Sequence, residues 1–119
     1  MKAIGVDIIE TERIEHAIQK TGDRFLERVF TPGEIRHCKG RIPSLAARWA
    51  AKEAMGKAFG TGIGPMAFKE IEIICNERGK PGIVLHGQAR VMANQLGFTK
   101  IEVSLSHTQA YAVAFIVVE

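Results

Sequence analysis

The sequence has little cysteine and no long apolar run, and each shortage excludes a class of protein. Only two of its 119 residues are cysteine, and no CxxC pair occurs. A disulfide framework and the usual zinc-binding spacing are therefore both absent. The most apolar stretch, residues 112–118, suits a buried strand and is too short to cross a membrane as a helix. Near the start, Asp7 stands where a signal peptide needs its apolar segment, so we expect a cytoplasmic protein with no membrane partner.

What the sequence does contain is typical of one globular domain spanning residues 1–119. Hydrophobic residues make up 46% and charged residues 24%, both near the globular average, which argues against disorder. The charge is uneven, because residues 1–60 hold 11 Lys/Arg against 8 Asp/Glu while residues 61–119 hold five of each. A basic half indicates an anionic partner or simply a solvated surface, and composition does not choose between them.

Hydrophobic periodicity and turn residues predict an α+β fold. Strands are predicted at 2–9, 69–76, 83–86, 100–106 and 110–118. Helices are predicted at 11–20, with a second helical piece at 23–29 beyond Gly22, and at about 32–39, 45–59 and 87–97. The order β-α-α-α-β-β-α-β-β favours a mostly antiparallel sheet packed on helices. Thr31, Pro32 and Glu34 form a capping box at the start of the short helix.

The predicted helix 45–59 is apolar on nearly every side, which is typical of a buried helix. It nevertheless carries four charged residues: Arg48, Lys52, Glu53 and Lys57. At about 100° per residue, Glu53 and Lys57 share one side of the helix. One interpretation is a surface ion pair one turn apart. The other is a carboxylate that binds a metal beside a lysine that binds a phosphate, since buried charges need partners or ligands.

Asp7 is the second unusual charge, because it lies inside an apolar strand, where aspartate is disfavoured. It is interpreted either as an edge-strand aspartate that caps a helix or as a second metal carboxylate. Mg²⁺ is commonly held by one or two carboxylates together with substrate phosphates and water. Asp7 and Glu53 in basic surroundings therefore predict a magnesium–diphosphate site.

Five stretches of the chain together resemble one known family, in order and over essentially the whole length. They are Gly5-Val6-Asp7 with Arg13-Ile14; Phe30-Thr31 with Glu34; residues 48–58 (RWAAKEAMGKA) continuing into Gly60-Thr61-Gly62; Gly79-Lys80-Pro81; and residues 104–108 (SLSHT). The family is the 4′-phosphopantetheinyl transferases, with the short bacterial members most similar. One departure is Trp49, where a phenylalanine is more usual.

The resemblance implies an enzyme that moves 4′-phosphopantetheine from coenzyme A to a serine of an apo-acyl carrier protein. It implies a Mg²⁺ requirement, with Asp7 and Glu53 as metal ligands and Lys57 near the diphosphate. It implies a homotrimer with active sites between subunits. Two further groups follow from it. Residues at coenzyme A-binding positions are Lys52, Lys57, the loop that includes Gly60, Thr61 and Gly62, then Lys80, Pro81 and His107. Residues that resemble the docking surface for the acidic carrier protein are Arg13, Lys20, Arg24, Phe25 and Arg28.

Several alternatives remain open from the sequence. The general base is Glu53, Glu34 or a metal-bound water. The histidine at 107 is a phosphate contact or a structural turn residue, and the basic stripe of Arg13 to Arg28 is a docking surface or plain surface. A nucleic-acid-binding module is the main rival for the whole chain, but no RNP-like block appears, so no nucleic acid partner is expected. A non-enzymatic interaction module would leave Asp7, Glu53 and Lys57 without a purpose.

Overall fold

The computed structural model describes all of residues 1–119 and confirms the α+β class. The strands are β1 (Ala3–Glu10), β2 (Ile71–Cys75), β3 (Pro81–Leu85), β4 (Ile101–His107) and β5 (Tyr111–Val118). The helices are α1 (Thr11–Thr21), α2 (Asp23–Val29), α3 (Pro32–Cys38), α4 (Ile42–Phe59) and α5 (Gly87–Gln95), with a 3₁₀ turn at Phe68–Glu70. No helix has both the length and the apolar character needed to cross a membrane.

The first half of the chain differs from the prediction in the number of its helices and in the start of the long helix. Four helices rather than three precede β2, because Gly22 adopts φ 56° and ψ −126°, which separates α1 from α2. The long helix begins at Ile42 rather than at residue 45, so that Pro43 falls in its first turn. A proline is tolerated there because its missing N–H would have had no partner within the helix.

The strands pair antiparallel, as predicted, but they form two sheets rather than one. The larger sheet has the order β1-β5-β4, and β2 with β3 forms a separate hairpin. Helix α4 packs against β1 and β5 on the inner face of the larger sheet. This contact brings the charged residues of α4 next to β1.

Gly5 is the residue that allows α4 to lie so close to β1. It is buried, and a Cβ placed on it would stand 1.9 Å from the carbonyl oxygen of Ala54 on α4. Real Cβ atoms do not approach backbone oxygen at that distance, so any larger residue must push the helix away from the strand.

We expect Gly5→Ala to lower the free energy of unfolding by about 1–3 kcal/mol, the usual effect of overpacking a close-packed core. Urea denaturation followed by circular dichroism measures this loss. Gly82→Ala is the matched control, because its Cβ would meet only the oxygen of Ile74 at an ordinary 3.7 Å. Equal stability of the two variants would contradict the assigned packing.

Candidate active site

Asp7 lies on the inner face of β1, between the buried residues Gly5 and Ile9. Its side chain is 17% exposed, so one carboxylate is presented at the rim of the contact between β1 and α4. The period of two along the strand places Asp7 toward the helix, while Val6 and Ile8 face outward. The strand pairs Asp7 with Ala114 of β5, which leaves the space beside the carboxylate open to α4.

Helix α4 presents Lys57 to this carboxylate. The Lys57 ammonium donates to Asp7 Oδ1 at 3.0 Å and to the carbonyl oxygen of Val6 at 2.9 Å. The lysine side chain remains half exposed. The exposed side chain leaves the ammonium accessible to an anion that arrives at the site.

Glu53 precedes Lys57 by one turn on the same side of α4. Burial and the negative charge of Asp7 raise the pKa of the Glu53 carboxyl, and Lys57 opposes them only in part. Two carboxylates that repel each other in this way are stabilised by a bound cation. Since the chain has no cluster of three or more His, Cys, Asp or Glu side chains suited to a metal, any metal held here would rely on these two carboxylates.

The loop after α4 is folded back along the helix at Gly56. The N–H of Gly62 donates to the carbonyl oxygen of Gly56 at 3.0 Å, and a Cβ on Gly56 would stand 2.8 Å from the Gly62 carbonyl carbon. Gly60 and Gly62 have φ of 84° and 71°, a region that favours glycine. The loop that holds Gly60, Thr61 and Gly62 is therefore fixed beside the end of α4 that bears Lys57.

A second feature is a cavity of about 220 Å³ lined by residues from α3, α4, β2, β4 and the turn before β3. It brings together Pro81 and His107, which the resemblance placed at cofactor-binding positions in two separate motifs, and Gly79 of the first of these motifs. Lys80 is exposed beside them and pairs loosely with Glu102 at 3.6 Å. Distant parts of the chain thus meet at one pocket.

This cavity also contains residues that sequence reasoning did not assign. Arg48 and His37 line it. Arg48 is only 6% exposed, and its Nε is buried without a hydrogen-bond partner. Burial and the positive charge of Arg48, Arg41 and Lys39 lower the pKa of His37. Arg48 therefore gives the cavity wall a positive charge that suits an anion. An arginine in the apolar pattern of α4 was the one signal that the sequence offered.

Comparison with known proteins assigns the chain to a family. The model of the 4′-phosphopantetheinyl transferase superfamily matches residues 3–116. The chain belongs to the 4′-phosphopantetheinyl transferase superfamily. The holo-[acyl-carrier-protein] synthase of Ruminiclostridium cellulolyticum is 52% identical over 97% of this chain and 90% of its own length.

Solved structures of phosphopantetheinyl transferases have the same fold. The holo-[acyl-carrier-protein] synthase of Helicobacter pylori in complex with coenzyme A superposes with a TM-score of 0.90 at 34% identity, covering 98% of this chain and 99% of that one. The Bacillus anthracis synthase in complex with CoA (3′,5′-ADP) gives a TM-score of 0.79 at 36% identity, covering 98% and 95%.

Lys52, which the family resemblance placed among the coenzyme A contacts, lies inside the core of this transferase. Its side chain is 0% exposed. The ammonium donates to Glu34 Oε1 at 2.9 Å and to the carbonyl oxygens of Phe68 and Ile71, so all three protons have protein partners. Burial lowers its pKa although Glu34 acts to raise it. The structure therefore corrects the prediction, since this lysine joins α4 to α3 and β2 inside the core.

Glu34 is accounted for by the same buried network, and the predicted capping box is present. Its backbone N–H donates to Thr31 Oγ1, and its Oε1 accepts from the N–H of Thr31 at 2.9 Å. Its Oε2 accepts from the N–H of Ile73 at 2.9 Å. Both oxygens are occupied and the side chain is fully buried. Glu34 has no access to a substrate proton, so it is removed from the candidates for the general base.

The predicted docking group divides in the structure. Arg13, Lys20, Arg24 and Arg28 are exposed on α1 and α2. Phe25 is 5% exposed and packs between Phe30 and Trp49, at ring-centroid distances of 6.2 and 6.1 Å. The structure therefore corrects the placement of Phe25, which contributes to the core beneath the basic residues. Gly22 also breaks the helical register between α1 and α2, so the basic residues do not lie along one continuous helix.

Proposed function

We propose that this chain is a holo-[acyl-carrier-protein] synthase. It transfers 4′-phosphopantetheine from coenzyme A to a serine of apo-acyl carrier protein and releases adenosine 3′,5′-bisphosphate, in support of fatty acid biosynthesis. The observation that carries this proposal is the meeting of Asp7, Glu53 and Lys57 where α4 crosses β1. The relatives that share about half of its sequence over nearly its whole length support it.

The residues present fit a magnesium ion. Asp7 and Glu53 would hold it, since Mg²⁺ is commonly bound by one or two carboxylates and completes its shell with substrate phosphates and water. The raised pKa of Glu53 reflects a site with excess negative charge, which a divalent cation relieves. When bound, the ion would neutralise charge on the diphosphate of coenzyme A.

Lys57 supplies a mobile positive charge at the diphosphate. Its ammonium donates to Asp7 in the structure. Because the ammonium is exposed, it can turn to the phosphate oxygens when Asp7 binds the metal instead. When the phosphorus–oxygen bond to the leaving bisphosphate breaks, negative charge grows on the oxygen that leaves. An ammonium directed at that oxygen stabilises the transition state. With Glu34 buried, Glu53 is the remaining glutamate at the site that could accept the serine proton.

The cationic cavity provides a place for the nucleotide end of coenzyme A. Arg48, His37 and His107 line it, and a bisphosphate carries the anionic groups that such a wall attracts. Lys80 and Pro81 flank the nucleotide, and the Gly60-Thr61-Gly62 loop contacts the cofactor near Lys57. Arg48 keeps N–H donors for a phosphate because Nη1 and Nη2, with two N–H groups each, donate to only one protein acceptor apiece.

The acidic carrier protein docks on the basic residues of α1 and α2. We expect its affinity to fall steeply as salt is added, because exposed charge pairs are screened within about 10 Å at 0.1 M salt. We also expect Arg24→Glu to weaken binding by about tenfold, measured by calorimetry. Arg90→Glu on α5 is the matched reversal and should change little. A salt-independent affinity would contradict this surface.

The outer face of the larger sheet supports a homotrimer. Five apolar side chains are about half exposed there: Ile4, Val6 and Ile8 of β1, and Tyr111 and Phe115 of β5. Val6 and Phe115 are directly paired, so the patch is continuous across two strands. Contiguous apolar surface of this kind marks an interface. A small chain of 13.1 kDa also has little surface for a cofactor, a metal and a partner protein.

We expect analytical ultracentrifugation to give about three times 13.1 kDa for the wild type and 13.1 kDa for Phe115→Asp. A buried charge without a partner is strongly unfavourable at an apolar interface. Val91→Asp, on α5 and equally exposed, should leave the trimer unchanged. An assembled Phe115→Asp protein would place the interface elsewhere.

Product analysis tests the proposed function. Incubation with coenzyme A, Mg²⁺ and apo-carrier protein should release adenosine 3′,5′-bisphosphate, detected by chromatography, only when the carrier protein is present. Release without the carrier would mean hydrolysis rather than transfer, and no release would exclude the proposal. The cytoplasmic location stays a prediction.

A further inference from the structure

Cys75 is a chemically reactive side chain at the cationic cavity that the proposed reaction does not use. It is the last residue of β2, half-buried and free of any disulfide. Besides the 220 Å³ cavity it lines two further cavities of about 310 Å³ each, so the residue adjoins open space on more than one side.

Arg48 connects this sulfur to a place for an anion. Its Nη2 donates to Cys75 Sγ at 3.4 Å, its Nη1 donates to the carbonyl oxygen of Ser44 at 3.1 Å, and its Nε has no partner. The side chain is 6% exposed, so the guanidinium is fixed in the wall of the cavity. A buried guanidinium favours an anionic group beside the sulfur, because Nη1 and Nη2 each have a second N–H without a protein acceptor.

We propose that Cys75 is a thiol-modification site that selects small anionic disulfides through Arg48. The Cys75 thiolate attacks one sulfur of the disulfide R–S–S–R and forms Cys75–S–S–R. The other sulfur leaves with the electron pair as R–S⁻, and the proton lost by the Cys75 thiol goes to water. The thiolate form of a cysteine is the nucleophile in exchange. Excess low-molecular-weight thiol reverses the step.

Cys38 provides a contrast within the same chain. It is 0% exposed, and burial raises the pKa of its thiol. A thiol that is both inaccessible and harder to ionise exchanges slowly. The modification is therefore confined to Cys75 in the folded protein.

A mixed disulfide at Cys75 would fill the cavity that takes the nucleotide end of coenzyme A, so oxidation would switch transfer off reversibly. This consequence rests on the proposed function. The chemistry at the sulfur does not, because it requires only Cys75, its guanidinium neighbour and the cationic wall.

The test compares an anionic disulfide, 5,5′-dithiobis(2-nitrobenzoate), with the dication cystamine, each normalised to its rate with neutral N-acetylcysteine amide. We expect an anion preference of about tenfold or more at low salt that declines as salt rises.

Intact mass and peptide mapping should place one adduct on Cys75 in the wild type and in Cys38→Ser, and none in Cys75→Ser. For each variant, transfer activity is compared with and without disulfide, and Cys75→Ser should show no difference.

Modification of Cys38 instead of Cys75, or equal normalised rates for the two disulfides, would overturn the proposal. Adenosine 3′,5′-bisphosphate should slow the modification of Cys75. If Cys75 reacts with the anion preference but the bisphosphate gives no protection, the thiol site stands and the assignment of the cavity to coenzyme A fails. If the protein transfers phosphopantetheine and Cys75 stays unmodified in the presence of the anionic disulfide, the proposed function stands and the thiol site fails.

Discussion

Glu53→Gln is expected to reduce phosphopantetheine transfer by about a thousandfold or more, because it removes one of two carboxylates available for the metal. Gln has nearly the same shape as Glu, so α4 should keep its packing on β1. The initial rate of carrier-protein modification at saturating coenzyme A and Mg²⁺ measures the effect. Glu77→Gln, in the exposed turn before β3, is the matched control and should retain wild-type activity.

The same variant is expected to be as stable as the wild type or more stable at neutral pH. The pKa of Glu53 is raised above its ordinary value of 4.5 in the folded chain, so its ionised form costs folding free energy. That cost is absent below the ordinary pKa and fully present above the raised one. The stability advantage of Glu53→Gln should therefore vanish as pH falls below about 4. An active Glu53→Gln enzyme would contradict the metal assignment.

Lys52→Met is expected to lower the free energy of unfolding by about 3–5 kcal/mol, because it leaves the Glu34 carboxylate buried without its cation. The loss of ammonium bonds to Phe68 and Ile71 also removes links between α4 and β2. Thermal and urea unfolding measure the effect. Lys69→Met replaces an exposed lysine and should be close to neutral.

A double variant separates charge from packing at this position. Glu34→Gln combined with Lys52→Met carries no buried charge, although its one carbonyl oxygen can accept from only one of the N–H groups of Thr31 and Ile73, which donate to Oε1 and Oε2 of Glu34. It should recover part of the stability lost by Lys52→Met. A Lys52→Met protein of normal stability with a raised KM for coenzyme A would instead restore the original prediction of a cofactor contact.

The sequence predicted most of the fold because local signals agreed with the tertiary structure. The capping box of Thr31 and Glu34 set the start of α3, and period-two alternation located β4 and β5 within one residue. The division into two sheets was missed, since strand pairing depends on contacts far apart in the chain. The long helix was predicted to begin at residue 45, whereas Pro43 lies inside the first turn of α4.

The site was predictable where a residue type conflicts with its local pattern. Asp7 in an apolar strand and Glu53 with Lys57 on an apolar helix signal a charge cluster without any structure. Lys52 gave the same signal, and only the structure separates it from Lys57: its ammonium lies inside the core, whereas that of Lys57 lies at the surface. The cavity of Arg48, His37 and Cys75 joins segments that are far apart in the chain, which no sequence window contains.

The mass of the carrier protein tests the central claim most directly. Apo-acyl carrier protein incubated with this protein, coenzyme A and Mg²⁺ should gain the mass of one phosphopantetheine group on a single serine. The gain should disappear with EDTA and with Glu53→Gln. An unchanged mass with the wild type, or a gain that persists in excess EDTA, would contradict metal-assisted transfer by Asp7, Glu53 and Lys57.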